Sequence, residues 1–245
     1  MNLAAKARAI EPRTGRSPWD GHEFGRGYAV LSLPLDSGHL LGLRVFPQND
    51  FAPYVSVWHR PPGDGWAIYV DGPSLETACP RYWGPATRST ALASIEVDWT
   101  GPNDLRVSMA GPELEWTLSM GASPPLRSLN AVDSALPRWT WRVAPLLRFR
   151  EWVAQHVLGY GDIRLSFTSA SGHEMVLLAR ENYRVESSSA RLDGRHLGQP
   201  VTLEENPTVG DVPLPTAPSF VFAEAHAPIV DRAEYRRTKE QLLEG

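Results

Sequence analysis

The chain has 245 residues, 42% hydrophobic and 21% charged, with a formal net charge of −4. That is the profile of an ordinary soluble globule, and with no run of Lys or Arg to track phosphates it argues against nucleic acid as a partner. Cys79 is the only cysteine, so no intrachain disulfide can form. No stretch approaches the roughly 20 apolar residues that span a bilayer, and the segment before Pro18 lacks the apolar core of a secretory leader. These features predict a reduced, cytoplasmic setting with no membrane span.

Residues 1–18 are polar and basic and read as a loose N-terminal arm; residues 19–245 read as one domain. Strand signals begin at 27–35, turn at Asp36-Ser37-Gly38, and resume at 40–46 and 54–60. A Pro-Gly loop over 61–65 leads to a return strand over 66–71, and Gly72-Pro73 turns again. The cleanest alternation follows. Ala93, Ile95, Val97 and Trp99 share one face, Leu105, Val107 and Met109 repeat it, and Leu114, Trp116, Leu118 and Met120 repeat it again. Residues 27–121 thus form a first β series.

The period changes over 124–159, a helical insertion near 127–159. Pro145 suits a first helical position, Leu146, Phe149, Val153 and Val157 recur at helical spacing, and Gly159 suits a cap. Trp152 and His156, one turn apart, are expected to pack on a sheet. A second β series occupies 161–224, with strands expected near 163–168, 173–179, 182–187 and 219–224. Asp231 and Glu234 begin a C-terminal helix over 231–244. Short strands joined by tight turns, nine Trp and 22 Pro predict a mainly β fold. Its form is an antiparallel closed barrel or a two-sheet sandwich.

No phosphate-binding glycine loop, dinucleotide fingerprint or nucleophile elbow is present, and the seven histidines are dispersed without metal-ligand spacing. No metal and no cofactor is expected. The most informative cluster joins Trp58-His59-Arg60, the facing Tyr69-Val70-Asp71, and Cys79-Pro80-Arg81-Tyr82-Trp83. A period of two puts His59 with Val55 and Val57, and Trp58 with Tyr54, Ser56 and Arg60. The short intervening loop pairs the two strands and gathers these side chains. Together they offer catalytic candidates, Asp71, Tyr69 and His59, and binding candidates, Trp58, Trp83, Tyr54, Arg60 and Arg81. The same residues also suit plain roles: cross-strand aromatic neighbours, a hydrogen-bonded core histidine, a turn aspartate. Glu96 and Asp98, on one strand face, fit a solvated surface better than a carboxylate pair.

The strand content, the aromatic load and the segment Trp58-His59 … Tyr69-Val70-Asp71 resemble the lipocalin-like (calycin) superfamily that includes carotenoid 1,2-hydratases, over residues 27–120. The resemblance implies a lipocalin-like barrel in which Asp71 protonates a carbon–carbon double bond. Tyr69 and Trp58 would stabilise the cation with their π faces, and His59 would orient or deprotonate water.

Three functions are therefore expected in competition. The first is a metal-free, nucleotide-independent enzyme, a hydratase, isomerase or cyclase moving protons on a terpenoid or polyketide-like molecule. The second is a non-catalytic carrier of a hydrophobic ligand, and the third a scaffold whose barrel is filled by its own side chains. In the first two the partner is a hydrophobic small molecule; a homodimer is compatible with either.

Overall fold

The structure, a computed structural model, describes residues 1–244; Gly245, the last residue of the domain as read from sequence, lies outside the described residues. The chain is mainly β, a nearly closed ten-strand barrel-like sheet with a few helices and a C-terminal helix. In chain order the N-terminal part comprises α1 (Leu3–Arg8), β1 (Arg13–Thr14), β2 (His22–Pro34), β3 (Leu40–Asn49), β4 (Tyr54–Arg60), β5 (Trp66–Asp71), α2 (Pro80–Trp83) and β6 (Thr87–Leu92). Then come β7 (Ser94–Trp99), β8 (Asp104–Ala110), β9 (Leu114–Gly121), α3 (Pro124–Ala135) and α4 (Ala144–His156). The remainder is β10 (Ser166–Thr168), β11 (Glu174–Leu192), β12 (Arg195–His196), β13 (Thr208–Val209), β14 (Val212–Pro213), β15 (Ser219–Pro228) and α5 (Arg232–Glu244).

The main sheet runs β6-β5-β4-β3-β2-β15-β11-β9-β8-β7, antiparallel except where β6 lies parallel to β5 and where the short β1 joins β3 in parallel. Its two ends meet at a seam. Ala93 N–H donates to the Val70 carbonyl at 2.8 Å, and Ile95 N–H donates to the Asp71 carboxylate, also at 2.8 Å. Asp71 thus completes a backbone ladder that no strand partner reaches.

The inward face is a packed core. Val30, Leu43, Val57, Val107, Trp116 and Phe220 are all essentially inaccessible, and the Trp116 indole N–H donates to Ser188 Oγ at 2.9 Å. Burying an indole this fully requires such a partner for its polar atom. Tyr28, Phe222 and Tyr183 surround Phe220 with ring centroids 5.8–6.2 Å away or, for Phe222, 5.4 Å.

Several expectations change here. Residues 3–8 do not trail as an arm: Asn2 caps α1, and Leu3 and Ala7 enter the barrel core. The edge strand β6 carries no strand signal in the sequence, because Thr87-Arg88-Ser89-Thr90 shows no apolar alternation. Two strands expected near 173–179 and 182–187 are one, β11, with a bulge between Ala179 and Glu181 that breaks the period. In α4 the buried side is Leu147 and Ala154, whereas Leu146, Phe149 and Val157 face solvent. Trp152 and His156 stack on each other on the outside rather than on a sheet, with centroids 5.1 Å apart. Among the described residues, no helix is long and apolar enough to cross a membrane.

Replacing Asp71 by Ala leaves the Ile95 N–H at the seam without its partner, and the expected cost is about 1–3 kcal/mol in urea unfolding, less for Asp71→Asn. Equal midpoints for both variants and the parent chain would show that the seam does not need this carboxylate.

Candidate functional site

The outward face of β2, β15 and β11 is built unlike the inward one. Gly25, Gly27 and Ala29 alternate along β2, and Ala223, Ala225 and Ala227 along β15, the pairing register setting Ala223 opposite Gly27 and Ala225 opposite Gly25. Side chains this short leave the sheet surface bare. At Gly27 a Cβ would lie 1.8 Å from the Val45 carbonyl oxygen, so the close approach of β3 admits only glycine there.

Taller elements surround this floor and leave a cavity of about 130 Å³ between them. Phe46, Tyr54 and Trp58 form one wall from β3 and β4; Cys79, Tyr82 and Trp83 of the α2 region form a second. Tyr160, Leu165 and Phe167 close a third side, and the β13–β14 hairpin with Leu214 and Pro215 forms the roof. The aromatic walls brace one another: Trp58 meets Trp83 edge-on at 6.0 Å, and Trp83 meets Phe167 at 5.8 Å. Space of this size with apolar walls is comparable to cavities that stay dry and take up small apolar molecules.

Besides Asn49, Asn182 and the exposed Arg164, three polar groups interrupt the apolar lining. The Cys79 thiol lies 3.3 Å from Tyr54 Oη and accepts from Ser56 Oγ at 3.5 Å; Ser56 in turn accepts from the Trp58 indole at 3.1 Å. Burial pushes the Cys79 thiol and, more strongly, the Tyr54 phenol up, so both are neutral. At the other end Glu23 is gripped side-on by Arg81, Nε to Oε2 at 3.1 Å and Nη2 to Oε1 at 2.7 Å, and accepts from the Tyr82 hydroxyl. The third group is Arg44, whose guanidinium lies 4.9 Å from the centre of the Trp58 ring.

The residues singled out from the sequence divide between the two faces. Trp58, Trp83 and Tyr54 line the cavity. Arg81 stands behind its wall on Glu23, and Arg60 covers the Trp66 ring at 5.5 Å. Tyr69, Asp71 and His59 share the opposite, inward face, since Val55 pairs with Asp71 and Val57 with Tyr69. Tyr69 packs against the barrel core, and Asp71 holds the seam. His59 is buried with its Nε2 2.9 Å from His39 Nδ1 and the two rings stacked. The strand pairing expected from the short loop is present, but it does not join the two sets of side chains. Glu96 and Asp98 lie on the exposed face.

The sequence reading passed over Arg44, Glu23 and the small-residue floor. The floor has a visible signal, Gly-x-Gly-x-Ala over 25–29 and Ala-x-Ala-x-Ala over 223–227. Among the described residues, no group of three or more His, Cys, Asp or Glu is placed to hold a metal ion.

Burial, then the neighbouring His39 and the Arg88 charge, lower the His59 pKa to about 4 from 6.5. The unfolded chain therefore takes up a proton that the folded one refuses. Stability is full above pH 6.5 and falls as the pH drops toward 4, by on the order of 2–3 kcal/mol. Urea unfolding at pH 7.5 and pH 5 should show this loss, and His59→Gln should reduce it; an unchanged slope in the variant would assign the loss elsewhere. Set beside known proteins, the chain matches no family model, no curated protein and no solved structure, so its site is read from its own geometry.

Proposed function

We propose that this protein binds a hydrophobic small molecule in the cavity outside the barrel, as a carrier or binding protein. The observation that carries this reading is the floor of six alternating Gly and Ala residues beneath aromatic walls. Leu31, Val221 and Leu177 fill the neighbouring part of this face, as Val and Leu fill the inward one, whereas the Gly and Ala stretch is left unfilled. Removing large side chains from a surface that is nonetheless roofed costs packing energy, and a bound guest restores the lost contacts.

The hydratase, isomerase or cyclase reading requires an acid at the guest. Asp71 and Tyr69 lie across the sheet from the cavity, and the bordering carboxylate, Glu23, already receives two hydrogen bonds from Arg81 and one from Tyr82. Those commitments favour binding over proton transfer. A terpenoid or polyketide-like guest remains compatible with aromatic walls, and nothing in the lining asks for a metal or nucleotide.

The neutral fluorophore N-phenyl-1-naphthylamine should bind saturably to the parent protein. The substitution Ala225→Phe, which fills the floor from a cavity-lining position, should weaken binding by tenfold or more while unfolding stays within about 1 kcal/mol of the parent. Absence of saturable binding, or equal binding by the variant, would defeat the proposal.

A further inference from the structure

Arg44 differs from the other well-buried arginines of this chain. Arg81 pairs with Glu23 and Arg150 with Asp133, and the more exposed Arg138 grips the buried Glu224. Among the described residues Arg44 has no carboxylate partner, although its residue is only 9% exposed. Its strand explains the position. β3 reads Leu40-Leu41-Gly42-Leu43-Arg44-Val45-Phe46, and the period of two that turns Leu41, Leu43 and Val45 inward turns Arg44 out onto the cavity face with Gly42 and Phe46.

Part of the guanidinium is spoken for. The register between β2 and β3 slips between Val30 and Leu33, which releases carbonyls from the ladder. Nη1 donates to the carbonyls of Val30 and Leu43, and Nη2 to that of Leu31 at 3.2 Å. Guanidinium carries five N–H donors, so Nε–H and one Nη2 hydrogen remain. These are the two nitrogens with which Arg81 holds Glu23 and Arg138 holds Glu224. The nearest ionisable neighbours, Cys79 and Tyr54, are both held neutral by burial and supply no counter-charge. A cation left in an apolar cavity with carbonyl dipoles and one indole face is incompletely solvated, and a carboxylate is the partner its free edge fits.

We infer that the guest is an anionic amphiphile, a carboxylate with an apolar chain, whose head group pairs with Arg44 while its chain lies over the Gly and Ala floor toward Phe167 and Leu165. This rests on the proposed binding function and adds the chemical class of the ligand. The alternating floor explains the chain, and the unpaired arginine explains the head; neither feature accounts for the other.

The test compares decanoate with decan-1-ol, equal in chain length and different in charge, as competitors for bound N-phenyl-1-naphthylamine at pH 7.5. In the parent protein decanoate should displace the dye at a concentration at least tenfold lower than the alcohol. Arg44→Met should erase that preference while still binding the dye, and Arg44→Lys, which keeps the charge, should retain part of it. Because Arg44 also satisfies the carbonyls of the β2 bulge, Arg44→Met could unfold; the comparison within the parent protein decides the matter without it. If the dye and decan-1-ol bind and decanoate has no advantage, the anion site is overturned and the binding function stands. If the dye does not bind at all, both fall.

Discussion

The pairing of β2 with β15 puts two opposite requirements on a single pair of strands. On their inward side Tyr28, Val30, Phe220 and Phe222 interlock at core density; on their outward side Gly25, Gly27, Ala29, Ala223 and Ala225 present almost nothing. A one-residue slip in register would exchange these faces, turning the aromatic rings into the cavity and the glycines into the core. The nine-pair register running from Phe220 to Pro228 excludes that slip, and the Gly27 approach to the Val45 carbonyl fixes the neighbouring strand as well. Cavity and core are therefore two consequences of one hydrogen-bonded ladder.

That arrangement departs from the architecture in which a barrel holds its ligand inside. Here the barrel is solid, plugged at one end by Leu3 and Ala7 of α1 and closed along its seam by Asp71. Its rigidity supplies a fixed floor, and segments outside the barrel supply the walls: the α2 turn, the run from Tyr160 to Phe167, and the β13–β14 hairpin. The Trp66 indole donates to the Thr208 carbonyl at 2.8 Å and the Asn206 amide to the Leu214 carbonyl at 2.7 Å, tying that roof down. Such connecting segments open more readily than core strands.

How much of this the sequence discloses depends on which physical signal each part carries. The alternating runs of β7, β8 and β9 announce one-sided strands, and these lie where the alternation puts them. The insertion and the C-terminal helix are equally legible. Edge strand β6 carries no apolar period because its face is not buried, and α1 is too short for one. Helix α4 misleads because it buries Leu147 and the small Ala154 and leaves Phe149 and Trp152 outside. At the site, Trp58, Tyr54 and Trp83 are legible as aromatics converging from one strand, β4, and the α2 turn. The face they share was legible too, but not which face would be hollow. That is decided by glycines and alanines on strands distant in sequence, and by Arg44, a single charge within an apolar run that reads as an ordinary strand interruption.

The central claim, a packed barrel with a vacant space outside it, is tested most directly by locating xenon in crystals of the protein under pressure. Xenon binds apolar voids without regard to head-group chemistry. The account predicts density over the β2–β15 floor, between Ala29, Ala225 and Leu214, and none among Trp116, Phe220 and Val107. Xenon within the barrel, with the outer face filled by its own side chains, would contradict it.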